Sequence, residues 1–419
     1  MMPIRHPTPS GDVATLRRPA SIETMNVLYV HRTRATGVEA VHIGQIVLGL
    51  RRLGHRVSML SPVGDFIEHV NEPAVSVAAP KSAASRKRKA LEMPEILFEI
   101  LEIGYNLKAI LDGLRKLARG SVDGVYERYA IFGVAGMLLA RWWGVPFVLE
   151  VNYTSLSPLV RRRSRLMKPL ARWCDGIVFR RATHLLAVSS YLKEELVNQF
   201  GVSPERVTVV PNAADPSVFD PAAARAVEPE RSMPAGPVIG FVGGFYKWHG
   251  LDLLVEAFMR IAKQFPSASL VLIGDGPMRE TVATQASARG LPDRVIMPGR
   301  VPHAKLAPYV ARFDVGVMPD SNLYGSPMKV FEYMAMSVPV VVPNYAPLLD
   351  VVVDGVQGRV FERRDVDDLA RCLSDMLGDE ARRKRMGTNA RQSIVDTHNW
   401  MNNASVAAKH LGARSANAC

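Results

Sequence analysis

Glu332 is the acid around which a chemically useful constellation gathers. It ends the run Tyr324-Gly-Ser-Pro-Met-Lys-Val-Phe-Glu332, which leads through Tyr-Met-Ala-Met-Ser into the apolar stretch Val338-Pro-Val-Val-Val342. A turn feeds a helix, the helix carries one carboxylate, and a strand follows. Ser326 has the side chain of a helix cap. Pro327 suits a first turn, where its missing N–H had no intrahelical partner, and Phe331, Met334 and Ala335 supply a buried face. The orphan N–H groups of that helix start, the positive end of its dipole and Lys329 together make an anion site. Glu332, about a turn and a half inside, would repel phosphate but can accept hydrogen bonds from two adjacent ribose hydroxyls. Charge and spacing fit a nucleoside diphosphate better than bare phosphate. The alternative is an ordinary capped helix with a solvated Glu.

The elements that must position this segment alternate along the chain. Residues 26–30 (NVLYV) read as a strand, 41–53 as an amphipathic helix closed by Gly54, and 57–60 as the next strand. A long helical stretch over 95–117 follows, then strands near 124–126, 147–151, 185–188 and 207–210. Residues 213–236 turn rich in Ala, Pro and charge, as a linker does, and the pattern restarts. Strands are expected at 238–242, 270–273, 295–297 and 315–318, with helices at 251–265 and 278–289. Such alternation implies α/β architecture: two doubly wound, Rossmann-like domains, each a parallel sheet with helices on both faces, meeting across a cleft at the carboxyl ends of their strands. The expected division is a disordered extension over 1–25, a first domain over 26–215, a linker over 216–236, a second domain over 237–395, and a last helix over 396–419 that crosses back to the first domain.

A chain of 419 residues with 48% hydrophobic content can bury two such cores. Its three cysteines, Cys174, Cys372 and Cys419, lack metal-type spacing and are too few for a disulfide scaffold. No run approaches about eighteen apolar residues and no hydrophobic signal core opens the chain, so a cytoplasmic location is expected. The formal charge of +12 is concentrated in Lys81 to Lys89 and in Arg161 to Arg172. In the second run, basic residues interleave with Leu166, Met167, Leu170 and Trp173. That pattern fits a helix lying on an anionic membrane surface, with a solvated charged face as the alternative, and no nucleic-acid-binding motif accompanies it.

Several further runs stand in a fixed order: Thr36-Gly-Val-Glu-Ala-Val-His42, Gly54-His-Arg-Val57, Val209-Val-Pro-Asn212 with Phe219, Phe241-Val-Gly-Gly-Phe-Tyr-Lys-Trp-His-Gly250, Ile273-Gly-Asp-Gly-Pro277, Gly299-Arg-Val301 and Asp354-Gly-Val-Gln-Gly358. With the Ser326 to Glu332 segment they make the chain resemble the group 1 retaining nucleotide-sugar glycosyltransferases of GT-B architecture, over residues 26 to 410.

The resemblance implies roles position by position. Glu332 matches the second acid of the family's Glu-x7-Glu motif, which binds the nucleotide ribose. Gly37, Gly243, Gly244, His249, Asp275, Val301, Ser326, Met328 and Val330 would line the donor, and the backbone after Gly325 would meet the diphosphate. Three positions depart from the family: Tyr324 replaces the first acid, and Gly244 and His249 stand where an Arg and a Lys neutralise phosphate. Lys247 and Lys329, assisted by His249, are then the expected cations, although Lys247 also reads as a surface lysine beside a core Trp248. Gly37 lets backbone approach a ligand or is a plain turn glycine. Glu150 either orders the acceptor, acts as a base, or pairs with Arg128. Asn152 falls where relatives carry a His near the reacting sugar, and His42 reads as packing.

The implied reaction is transfer of a sugar, with retained configuration, from a nucleoside diphosphate sugar to a hydroxyl of a saccharide or lipid-linked acceptor in surface polysaccharide or glycoconjugate assembly. No cofactor and no metal is expected, since helix terminus and lysines supply the positive charge. Competing readings are a non-catalytic nucleotide-sugar-binding or membrane scaffold protein, and a sugar phosphorylase or epimerase of related fold.

Overall fold

The computed structural model describes residues 23–34, 37–65, 67, 94–118, 120–158, 164–288 and 290–413. Most of the expected N-terminal extension, the basic run Lys81 to Lys89, Arg161 to Arg163 and Thr36 lie outside those residues.

The first half supplies β1 (Asn26–Val30), β2 (Arg56–Leu60), β3 (Gly124–Arg128), β4 (Phe147–Val151), β5 (His184–Ala187) and β6 (Val207–Val209). The second supplies β7 (Val238–Val242), β8 (Ser269–Ile273), β9 (Val295–Gly299), β10 (Val315–Val317), β11 (Val340–Pro343) and β12 (Gly358–Phe361). They form two six-stranded sheets in the orders β2-β1-β3-β4-β5-β6 and β12-β11-β10-β7-β8-β9, and all pairings are parallel. Strands covered on both faces must be apolar throughout, and FVLEV in β4 and SLVLI in β8 are buried at every position. Strand order reverses between β1 and β3 in one sheet and between β7 and β10 in the other, and the loops leaving those carboxyl ends are where such sheets bind ligands.

The expected elements are present, with shifted ends. The helix expected over 41–53 runs Val38–Arg52, and that expected over 251–265 stops at Ile261. The last helix, expected over 396–419, runs Trp400–Leu411 and is preceded by the helix Glu380–Asp396. The break has a local cause: the Asn399 side-chain oxygen accepts the Asn402 N–H at 2.9 Å, a new helix cap that ends the old periodicity. Trp400, Ala404, Ala407 and Leu411 pack into the first domain's core with Val27, Tyr29, Ile43 and Val47. The chain thus passes between the domains twice, and the two crossings touch, with Ala214 bridged to Asn399 and its N–H donating to the His398 carbonyl at 3.2 Å. The segment read as a linker holds the short helix Pro221–Arg225 and lies on the second domain, where Phe219 and Ala224 join the core.

Candidate active site

The donor side is built where β7 and β8 end. Gly243 has φ +150° and Gly274 φ +144°, and a Cβ on Gly274 would stand 1.9 Å from the Gly243 carbonyl oxygen. Only glycine lets the two loops interlock so closely. Asp275 serves this turn: its carboxylate accepts the Gly276 N–H at 2.9 Å and its carbonyl the Phe245 N–H at 3.0 Å, while its side chain lies exposed.

Beyond Gly244 the chain makes a short turn, Lys247–His249, before the helix Leu251–Ile261. His249 is buried, and its Nδ1–H donates to the Gly244 carbonyl. That bond leaves Nε2 as an acceptor, 3.4 Å from the Lys329 Nζ. Burial, with the Lys329 charge second, pulls His249 down to about 3, so its ring stays neutral in the physiological range. Lys329 sits with its Nζ 4.2 Å from the centre of the Phe241 ring. Burial brings it down to about 7 against the opposing pull of Glu332. A lysine that loses its proton this easily in the free protein is short of a negative partner. Lys247 lies exposed on the turn, outside this pair. Trp248, read as core, is also exposed. At Gly244 a Cβ would come within 2.5 Å of the Tyr246 ring, so Tyr246 fills the room in which an Arg side chain would begin.

The helix that carries Glu332 runs Met328–Ala335 and begins differently from the expectation. Pro327 occupies the cap position and no side chain caps the helix. The Ser326 hydroxyl oxygen instead accepts the Asn212 N–H at 3.0 Å, and the Asn212 side chain donates to the Ser326 carbonyl at 2.5 Å. Ser326 therefore spends its polar groups on the interdomain crossing. Val330 is buried in the second core and its N–H is taken by the Pro327 carbonyl at 3.1 Å. Neither its side chain nor its amide is offered to a ligand. Met328 is buried and packs toward the first domain. The remaining helix-start amides, of Met328 and Lys329, have the orphan geometry that suits an anion.

Glu332 is 5% exposed, and its Oε1 accepts a hydrogen bond from His303 Nε2 at 2.7 Å. Burial alone would lower the His303 pKa, but the Glu332 hydrogen bond and charge outweigh it and raise the value. His303 was missed by sequence reasoning although it stands two residues beyond Val301, in a run already singled out. Val301 itself packs half-buried on the second core and delivers the turn that carries His303. Glu332, His303, Met328, Phe219, Gln45 and Trp400 line one narrow cavity between the domains.

Tyr324, in place of the family's first acid, bridges the domains. Its hydroxyl donates to the Pro158 carbonyl at 3.0 Å, and its own carbonyl accepts the Ser189 hydroxyl at 2.8 Å. Asp320, another residue the sequence did not flag, follows β10 and accepts from the Tyr345 hydroxyl at 2.7 Å.

In the first domain Glu150 pairs with Arg128, one of the alternatives the sequence left open. Its Oε2 accepts from Tyr126 (2.6 Å) and His42 (3.0 Å), and its Oε1 from Arg128 (2.5 Å) and Asn152 (2.5 Å). Burial would raise this carboxyl, but His42, Arg128 and the hydrogen bonds hold it far below the usual carboxylate range. It is a permanent anion with its lone pairs occupied, and it holds Asn152 as one of its four donors. His42 completes the cluster and meets Trp400 edge-on at 5.0 Å, which joins a hydrogen bond to Glu150 to the packing role expected of it. Gly37 precedes the helix Val38–Arg52 with φ +61° and ψ −138°, a backbone that favours glycine, and is exposed there. The structure therefore gathers Gly243, Gly244, His249, Lys329 and Glu332 on one side of the cleft. Lys247 and Asp275 stay at the surface, and Glu150 with Asn152 form a separate cluster.

The family model described as glycosyl transferases group 1 matches residues 226–393, and that of a glycosyl transferase 4-like domain matches residues 37–213. Among curated proteins the chain is 27% identical over 256 residues to the GDP-mannose-dependent alpha-(1-6)-phosphatidylinositol monomannoside mannosyltransferase of Mycolicibacterium smegmatis, covering 59% of this chain and 67% of that one. It is 27% identical over 354 residues to a D-inositol 3-phosphate glycosyltransferase of Paenarthrobacter aurescens, covering 81% and 83%. Among solved structures, sucrose-phosphate synthase of Thermosynechococcus elongatus superposes with a TM-score of 0.68 at 19% identity, over 92% of this chain and 98% of that one. Anabaena HepE in complex with UDP and glucose gives 0.65 at 16%, over 91% and 98%. These likenesses in fold, and the family matches over both domains, establish that this chain is a GT-B enzyme belonging to the group 1 glycosyltransferases.

Proposed function

We propose that the enzyme takes a nucleoside diphosphate sugar as donor and transfers the sugar, with retained anomeric configuration, to a hydroxyl of a saccharide or lipid-linked acceptor in surface polysaccharide or glycoconjugate assembly. The observation that carries the donor half is Lys329, a lysine short of a negative partner at a helix start, with Glu332 almost one turn further along the same helix. A diphosphate would complete the first and a ribose would hydrogen-bond the second. The relatives named for GDP-mannose and for inositol phosphate, and the neighbour solved with UDP and glucose, support a nucleotide sugar and a small polyol or lipid acceptor.

In the reaction the bond from the anomeric carbon to the diphosphate breaks and a bond to the acceptor oxygen forms. Negative charge grows on the departing phosphate, and the Lys329 ammonium and helix-start amides are already in place to receive it. Glu150 is saturated by four donors, so the departing phosphate oxygen is the base offered to the acceptor's proton. Closure of the domains about their paired crossings keeps water from the activated sugar.

The test is thermal stabilisation by UDP, GDP and ADP and their common sugars, in wild type and Glu332→Ala. A ligand at a hundred times its Kd adds ~2.7 kcal/mol. One nucleotide is expected to shift the wild type strongly and the variant weakly; no shift from any of them would overturn the donor assignment.

A further inference from the structure

The helix Glu95–Leu117 packs one side against the first domain and leaves another, largely apolar, uncovered. Ile96, Leu97, Ile100, Leu101, Leu107 and Leu111 are all exposed, Leu107 by 65%. At 100° per residue they fall within an arc of about 140°, a stripe along the helix interrupted by the exposed Lys108 and Arg115 rather than scattered surface leucines. On the opposite side Ala109 is buried, and Ile103 and Ile110, on the flank between, pack against the first domain. A largely apolar stripe of this length marks a binding surface.

The neighbouring elements continue the pattern. The Ser164 N–H donates to the Glu99 carboxylate at 3.3 Å, which fixes the start of the next segment against this helix. That segment exposes Leu166 (80%) and, on the helix Lys168–Arg181, Trp173 (64%), interleaved with the exposed cations Arg165, Lys168 and Arg172. The helix Ala135–Trp143, which also packs against this helix, exposes Leu138 and Trp142. Apolar side chains with Trp among them, rimmed by Arg and Lys, have the composition of a surface that sits in the headgroup region of an anionic bilayer. No helix among the described residues is long and apolar enough to cross a membrane, so the contact would be lateral.

We infer that the exposed stripe of the helix Glu95–Leu117, together with Leu166 and Trp173, docks the first domain onto an anionic lipid surface. Its position matters for transfer: Pro158, a few residues before Ser164, carries the carbonyl that receives the Tyr324 hydroxyl, so the docking elements stand beside the mouth of the cleft. This deepens the lipid-linked half of the function proposed above. Its test reads vesicle binding without turnover, and donor binding is measured separately.

The experiment is co-sedimentation of the full chain with phosphatidylcholine vesicles, with and without phosphatidylglycerol, at low and high salt, for wild type and for Leu107→Glu with Leu111→Glu. Light scattering without vesicles accompanies it. The wild type is expected to bind the anionic vesicles and to weaken with salt. The double variant is expected to bind at least about tenfold more weakly, from the loss of two apolar anchors. Retained stabilisation by nucleotide will show that the variant's donor site is intact. Absence of binding by the wild type, or equal binding by the variant, would overturn the inference. So would a wild-type dimer that the variant dissociates, which would make the stripe a contact between copies of this chain.

Discussion

Glu150 in the first domain and Glu332 in the second are both buried carboxylates near the cleft, and they are held in opposite ways. Four donors from four different residues occupy the oxygens of Glu150. Glu332 has His303 as its one side-chain donor among the described residues. A carboxylate offers about four acceptor positions, so the first is full and the second has room for more. The cations divide in the same way. Arg128 is locked to Glu150 at 2.5 Å, whereas Lys329 lies against a neutral ring and an aromatic face and has no ion pair among the described residues, only the more distant charge of Glu332. Completed polar clusters fix a scaffold, and incomplete ones await a ligand. Burial alone would have ranked the two acids alike.

The largest expected effect comes from breaking the completed cluster. Glu150→Ala leaves the Arg128 charge buried without its anion and should cost ~3–5 kcal/mol in denaturant unfolding. A variant that kept its stability while losing turnover would reverse the comparison and return Glu150 to the chemistry.

Next in size is the pH response of the incomplete cluster. Lys329 titrates at about 7 in the free protein, and a bound diphosphate would raise that value. Nucleoside diphosphate affinity should then be flat below about pH 7 and fall by up to ~tenfold per pH unit above it, as binding takes up a proton. Calorimetry in buffers of different ionisation enthalpy measures the proton, and Lys329→Arg should flatten the profile. Stability of the ligand-free protein runs the other way. The unfolded chain keeps this proton to a higher pH than the folded one, so the Lys329 contribution to stability rises between about 7 and the ordinary lysine value of 10.5.

The smallest effect sharpens the boundary between the two regions. Tyr324→Phe removes one hydrogen bond across the cleft, to the Pro158 carbonyl, worth ~0.5–1.5 kcal/mol. If the bridge holds the closed form, the variant should raise donor KM by a few-fold with little change in unfolding midpoint. An unchanged KM would make Tyr324 a packing residue.

These contrasts also mark how far the sequence could be read. Strands such as Phe147–Val151 and Val238–Val242 were legible to the residue, because a parallel sheet covered on both faces demands continuous apolar runs. The helix Met328–Ala335 was legible in its buried face but not in its start. Ser326 has a capping side chain, yet Asn212, 114 residues away, competes for it. The Glu150 cluster draws on residues 2 to 108 positions distant, and the His303 to Glu332 pair spans 29. No local pattern encodes such pairings. They arise when separate strand ends are brought to one edge of a sheet. The break before Trp400 was readable in principle, since Asn399 followed by an apolar residue is a helix-start signal.

The last helix has a consequence for how the protein is made. Trp400, Ala404, Ala407 and Leu411 close the first domain's core, yet the ribosome reaches them only after the whole second domain. At about 5–20 residues per second, the stretch between Val209 and Trp400 takes on the order of ten to forty seconds to synthesise. For that interval the face bearing Ile43 and Val47 waits without its cover. The first domain to emerge is therefore the last to be finished, and the two halves of this enzyme reach their native state together.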